Sequence, residues 1–114
     1  MGNIDRKQIM ATFIRMIDHI SNKKYQERAW IKGEEADFDE AVCLFFEYAD
    51  PILETYKDFK LTEAQYQIAK KFRDEFEVFT DEHNWPEEFI DTPEWGRIMA
   101  LAKEVLKAFN YSEN

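Results

Sequence analysis

The chain has 114 residues, of which 45% are hydrophobic and 16% aromatic, and its formal net charge is −9. This length fits one domain over residues 1–114, and the apolar content is too high for a disordered chain. One cysteine and two histidines exclude a disulfide framework and a Cys/His zinc site. Because the sequence shows neither a membrane-length apolar run nor a secretion signal, we expect a cytoplasmic protein with no membrane partner.

Apolar residues recur at helical spacing, and no window shows the sustained alternation of a β-strand. The first helix is predicted to begin at Asn3 or Asp5 as N-cap and to run to about Ser21, with one apolar stripe. Residues 23–36 lack a clear period. We expect a connector there, with room for one helical turn and with Trp30 as its anchor.

The second predicted helix begins at a capping box formed by Asp37 and Glu40. It is expected to end near Asp50-Pro51, because the residue before a proline disfavours the α conformation. Pro51 then fits the first position of a short helix that Asp50 caps. The inward face of this short helix would consist of Ile52, Leu53, Tyr56 and Phe59.

The longest helix is predicted to follow a second capping box, in which Thr62 pairs with Gln65. Leu61 is placed to act as a hydrophobic staple just before this box, and the apolar stripe runs to about Glu82. The sequence therefore predicts a helix of about 20 residues that begins after Thr62.

Residues 83–92 are expected to form a loop with room for a short turn. Thr92 and Pro93 then provide a cap and a first-position proline for the last helix, which should run to about Phe109. The predicted fold is all-α, a single-domain irregular bundle of four main helices plus one short helix.

Few residues in the sequence are candidates for catalysis or metal binding. Neither His19 nor His83 has a glutamate three residues upstream, so the Glu-x-x-His signature of di-iron bundles is missing. Cys43 lies between Glu40 and Glu47, whose carboxylates disfavour the thiolate that a nucleophile needs. We expect Cys43 to be a small hydrophobic side chain in a packed seam. The sequence predicts no catalytic residues, no metal and no cofactor, and hence no enzyme.

The negative charge is concentrated in residues 34–59, which hold nine acidic residues and one basic residue, a net charge of −8. Nucleic-acid binding requires positive charge, so we expect no nucleic-acid partner. An acidic segment instead speeds association with basic proteins. Apolar side chains also lie on the outer side of the second helix, which predicts either burial by neighbouring elements or an interface. They are Cys43, Leu44, Phe46 and Tyr48.

Acids and tyrosines surround the predicted helix junction, in the run Glu34-Glu35-Ala36-Asp37-Phe38-Asp39-Glu40 and its continuation Glu47-Tyr48-Ala49-Asp50-Pro51-Ile52-Leu53-Glu54-Thr55-Tyr56. This arrangement in a small acidic helical chain resembles the immunity proteins of bacterial toxin systems, in particular the helical colicin-type and contact-dependent or polymorphic-toxin immunity proteins. The resemblance implies a non-enzymatic protein that neutralises a basic toxin by tight binding. The predicted partner-binding residues are Glu34, Glu35, Asp37, Asp39, Glu40, Glu47, Tyr48, Asp50, Glu54 and Tyr56.

Two alternatives remain open. A homo-oligomeric structural protein would bury the second helix against its own copy, and an enzyme would hold a small molecule between helices. The protein-binding hypothesis itself depends on outward presentation of the acidic segment. It would fail if Arg6, Lys23 and Arg28 neutralised these carboxylates within the fold.

Overall fold

The structure, a computed structural model, describes residues 5–33 and 37–110. These residues form helices and turns without a strand, which confirms the predicted all-α fold. The helices are α1 (Arg6–Ser21), α2 (Lys23–Gln26, continued by a π-helical turn over Glu27–Ile31), α3 (Phe38–Glu54), α4 (Glu63–Glu82), α5 (Pro86–Phe89) and α6 (Pro93–Ala108). None of them is long and apolar enough to cross a membrane.

The helix starts follow from local side-chain caps. Asp5 caps α1, Asp37 accepts the Glu40 N–H at the start of α3, and Thr92 caps α6. Thr62 and Gln65 form the reciprocal capping box of α4, with bonds of 2.9 and 3.1 Å. The predicted starts of these four helices are confirmed, because each depends only on side chains within a few residues of the first turn.

The core lies among the four long helices and is rich in aromatic side chains. α1 packs against α6 and α3, and α4 packs against the same two helices. Phe45 of α3 meets Phe72 and Phe76 of α4 edge-to-face, with ring centroids 5.5 and 5.2 Å apart. The largest fully buried aromatic side chains are Phe13, Phe45, Phe72, Phe76, Phe89 and Trp95.

α3 continues through Pro51 to Glu54, so the predicted helix break and the short helix beginning at Pro51 are wrong. Proline lacks the N–H that would bond the Glu47 carbonyl, which weakens the helix at this point. Tertiary packing compensates, because Ile52, the next residue, is completely buried. The Pro51 carbonyl also accepts bonds from the backbone N–H and the hydroxyl of Thr55, at 3.1 and 2.8 Å.

Residues 55–60 form a turn, and Tyr56 and Phe59 therefore lie outside any helix. Lys60 has a φ of 60°, the left-handed conformation that reverses the chain here. The Leu61 N–H bonds the Tyr56 carbonyl at 3.1 Å, which closes the turn before α4 begins.

The predicted connector is more ordered than its sequence pattern suggests. Residues 23–31 form α2 and the π-helical turn, and Asn22 caps α2 by accepting the Tyr25 N–H at 3.1 Å. Trp30 is buried, as expected for an anchor. The weak apolar period arises because side chains of a short helix followed by a π turn do not repeat every 3.6 residues.

Gln26 is a fully buried polar residue that links three helices. Its side-chain amide donates to the carbonyls of His19 and Ile20 at the end of α1, at 3.0 and 2.9 Å. Its carbonyl oxygen accepts the indole N–H of Trp95 in α6 at 2.9 Å. Gln26 thereby fixes α2 against α1 and α6 and indirectly positions the long helices.

Candidate protein-binding surface on α3

Three glutamates of α3, namely Glu40, Glu47 and Glu54, are exposed and seven residues apart. Seven residues are close to two helical turns, so the three carboxylates follow one line along the outer side of the helix. Leu44, which is 41% exposed, and the exposed Pro51 lie between them. We call these five residues the acidic ridge.

The ridge carboxylates are open to solvent. In the part of the chain that the structure describes, none of the three glutamates takes part in an ion pair. Lys23 pairs with Asp91 instead, and the guanidinium of Arg6 lies 6.0 Å from the ring centroid of Phe59. The guanidinium of Arg28 lies 5.6 Å from the centroid of the Tyr25 ring.

Asp50 is the acid of α3 that is paired within the fold. It bonds the Nε of Arg73 in α4 at 2.9 Å, and the same guanidinium reaches Asp74 at 3.1 Å and Glu77 at 2.9 Å. The hydrogen bond that Arg73 donates to Asp50 is the main cause that raises the pKa of Arg73 above its ordinary value, although desolvation opposes it. The guanidinium also lies 5.2 Å from the centroid of the Phe46 ring. Asp50 thus ties α3 to α4.

The two predicted tyrosines differ from the ridge glutamates. Tyr48 is half-buried on the flank of α3. The hydroxyl of Tyr56 donates to Glu63 at 3.0 Å, and its ring stacks on Tyr66 with centroids 4.0 Å apart. This hydrogen bond raises the pKa of Tyr56, while bonds from the side chains of Gln67 and Tyr56 lower the pKa of Glu63. Tyr56 is therefore engaged with α4.

The remaining predicted residues lie at or before the start of α3. Asp37 uses its carboxylate as the N-cap, with 3.0 Å to the Glu40 N–H, and Asp39 is exposed in the first turn. Glu34 and Glu35 lie outside the described residues. The structure thus brings Asp39 and three glutamates to the outer side of α3, and it gives Asp37 and Asp50 local structural roles.

An open groove of about 540 Å³ lies between α3 and the C-terminal half of α4. Its floor is apolar and its rim carries oxygen-bearing side chains. Cys43 lines this groove and is exposed, so the prediction of a packed seam is wrong. The cysteine lies toward the outer side of α3, where its side chain remains exposed. The lining residues are Phe38, Asp39, Val42, Cys43, Phe46, Glu77, Thr80, Asp81 and Asn84.

Sequence reasoning missed two exposed apolar side chains. Trp85 is 65% exposed and directly follows the groove residue Asn84, whereas Val78 is 61% exposed and lines a different groove, between α4 and α6. For Trp85 a usable signal was present, because residues 81–88 contain four acids and no lysine or arginine. A tryptophan amid unpaired acids is more typical of a surface than of a core.

Among residues 5–33 and 37–110, no group of three or more His, Cys, Asp or Glu side chains is arranged to hold a metal ion. Both histidines pack on aromatic rings. His19 stacks on Tyr25 with centroids 3.7 Å apart, and the ring of His83 lies 4.4 Å from that of Phe79.

The chain was compared with protein-family models, with curated proteins and with solved structures, and none of them matches it.

Proposed function

We propose that the chain is a non-enzymatic protein-binding domain whose acidic ridge docks on a basic surface of another protein. The proposed partner is a bacterial toxin, which is neutralised in the cytoplasm when this chain binds it. The observation that supports this proposal is the line formed by Glu40, Glu47 and Glu54, which are exposed and lack an ion-pair partner among the described residues.

The composition of the ridge suits recognition of a basic surface. Unpaired carboxylates attract a cationic partner over about one Debye length, roughly 8 Å at physiological ionic strength, and this raises the rate of encounter. Leu44 lies between Glu40 and Glu47 and offers an apolar contact inside a charged rim. A small apolar centre with a polar rim is the usual anatomy of a protein–protein interface.

The backbone that carries the ridge is also held in place. On the inner side of α3, Phe45, Ala49 and Ile52 are completely buried, and Asp50 bonds Arg73 of the neighbouring helix. A helix backbone that is already ordered loses little further conformational entropy when a partner binds. The ordered backbone of α3 therefore favours tight binding of a partner on the outer side of this helix.

The proposal can be tested by affinity capture from the organism that encodes the chain, with quantitative mass spectrometry of the recovered proteins. The ridge triple variant carries Glu40→Gln, Glu47→Gln and Glu54→Gln. A control triple variant makes the same change of net charge at three exposed glutamates outside α3, namely Glu82→Gln, Glu88→Gln and Glu104→Gln. We expect the wild type and the control variant to recover the same basic protein, and the ridge variant to lose it.

Neutralisation is then tested by expressing the recovered protein in a bacterial host. We expect it to inhibit growth, and we expect co-expression of the wild type or the control triple variant, but not the ridge triple variant, to restore growth. The proposal fails if the wild type captures no basic protein. It also fails if the ridge and control variants capture and protect equally.

A further inference from the structure

We infer that the groove between α3 and α4 binds an arginine side chain of the partner. In this arrangement the acidic ridge attracts the partner electrostatically, and the groove keeps it bound. This inference rests on the proposed function and specifies its partner chemistry.

The shape of the groove fits a side chain with an apolar stem and a cationic end. Phe38, Val42 and Phe46 form an apolar floor, against which the methylene groups of a long basic side chain can pack. Asp39 and Asp81 stand on the rim, and both are exposed. Neither aspartate takes part in an ion pair within the described ranges, so the rim offers two uncompensated negative charges beside an apolar floor.

The oxygen atoms of the rim favour arginine over lysine. Glu77, Thr80 and Asn84 also line the groove, which gives five side chains with acceptor oxygens, of which Glu77 is already bonded to Arg73. The Thr80 hydroxyl donates to the Glu77 carbonyl at 3.1 Å and keeps its lone pairs free to accept. A guanidinium has five donors in a planar fork and can engage several acceptors together, whereas an ammonium acts as a compact point charge.

The protein already binds one guanidinium in this way at a neighbouring position. Arg73 lies over the ring of Phe46 and reaches the carboxylates of Asp50 and Glu77. Its side chain combines an apolar contact with charge-assisted hydrogen bonds across the same two helices. The groove presents a similar combination on the side of Cys43, without an internal arginine among the residues that line it.

The direct test is an NMR titration of the ¹⁵N-labelled protein at low ionic strength. The probe is N-acetyl-arginine methylamide, and the matched controls are the citrulline analogue, which has nearly the same shape without the charge, and the lysine analogue. We expect the arginine compound to give saturable shift changes at the backbone amides of the groove. The citrulline analogue should give none, and the lysine analogue should bind more weakly.

Two variant proteins locate the binding site. Asp39→Asn with Asp81→Asn should weaken binding of the arginine compound about tenfold, because charge-assisted bonds are lost. Glu88→Gln with Glu104→Gln makes the same charge change elsewhere and should leave the affinity unchanged. If the groove variant loses the dispersed spectrum of a folded protein, alkylation of Cys43 with N-ethylmaleimide serves instead. The adduct fills the groove and should abolish binding.

Several results would overturn the inference. They are equal binding of the citrulline or lysine analogue, shifts spread equally over all acidic surfaces, unchanged affinity after the groove variant, and no binding at all. A dimer that the groove variant dissociates would assign the groove to an arginine of a second copy and would also overturn it. The ridge triple variant should still bind the arginine compound. The two tests are independent. If the titration shows no binding, the capture experiment still tests the proposed function, and if capture fails, the titration still tests the groove.

Discussion

Gln26 shows how much of this fold depends on one polar side chain. The three hydrogen bonds of its buried amide join the end of α1 to Trp95 in α6. A buried donor or acceptor that loses its partner costs about 1–3 kcal/mol, because it was removed from water without compensation. The indole N–H of Trp95 and the carbonyl of Ile20 depend on Gln26 for their hydrogen bonds, whereas the His19 carbonyl also accepts the Asn22 N–H at 3.3 Å.

We therefore predict that Gln26→Met lowers the free energy of unfolding by about 2–4 kcal/mol, since methionine keeps the volume but leaves the Trp95 indole and the Ile20 carbonyl unpaired. Urea denaturation followed by circular dichroism measures the change. Gln67→Met is the matched control, because Gln67 is exposed on α4 and its loss should cost less than about 0.5 kcal/mol. Equal effects of the two changes would show that Gln26 is not a structural link.

Asp74 gives the fold a dependence on acid pH. The hydrogen bond from Lys70 is the main cause that lowers the pKa of Asp74, with a further bond from Arg73, and desolvation opposes both. A carboxyl whose pKa is lower in the folded state stabilises the protein above its unfolded pKa, here 3.8. This stabilisation is lost as the pH falls through the lower pKa of the folded state.

We predict that Asp74→Asn lowers stability by about 0.5 kcal/mol at pH 6, a small value because the side chain is half exposed. At pH 2 the difference between wild type and variant should shrink toward zero. Urea unfolding across this pH range provides the measurement. A difference that stays constant down to pH 2 would contradict the role assigned to the carboxylate charge.

At the scale of secondary-structure elements, α3 remains helical although it contains a proline near its C-terminal end. Pro51 removes one backbone hydrogen bond near the C-terminal end, and the burial of Ile52 offsets the loss. We predict that Pro51→Ala raises the free energy of unfolding by about 1 kcal/mol, because alanine restores the N–H donor to the Glu47 carbonyl.

Pro93→Ala is the matched control for Pro51→Ala. Pro93 occupies the first position of α6, where the missing N–H has no intrahelical partner to lose. We expect no stabilisation from this control. Thermal and urea unfolding of both variants measure the difference, and a loss of stability in Pro51→Ala would mean that the proline ring itself supports α3.

The elements that could be predicted are those with local start signals. Asp5, Thr62 and Thr92 cap helices through bonds to residues two or three positions away, so short sequence windows contain the necessary information. The continuation of α3 beyond Pro51 depends instead on burial against elements distant in sequence. The same holds for the helical structure of residues 23–31. No local pattern encodes these contacts, because tertiary packing overrides propensity there.

The candidate site, too, was predictable from the sequence only in part. The sequence predicted Glu40, Glu47 and Glu54 as partner-binding residues, but the predicted break at Pro51 assigned Glu54 to a separate short helix. The structure has all three on one continuous helix, α3. The pairing of Asp50 with Arg73 spans 23 residues of sequence and was not predictable from either segment alone. The groove was missed for the same reason, since its two walls belong to different helices.

At the scale of the whole molecule, the net charge of −9 disfavours association of two copies, because like-charged surfaces repel. Pairing two ridges would also bring glutamates of two copies together. We predict a monomer of 13.7 kDa in sedimentation equilibrium at about 200 μM protein and physiological salt. A dimer under these conditions would favour the homo-oligomeric alternative over a basic partner.

The central claim is that the acidic ridge of α3 recruits a basic protein, and the association rate constant tests it most directly. Stopped-flow measurements would follow binding of the captured partner to the wild type and to both triple variants at increasing salt. We predict that the ridge triple variant associates about tenfold more slowly at low salt and with a weaker salt dependence, while the control triple variant stays near the wild type. Identical rates and salt dependence for the two triple variants would contradict the account.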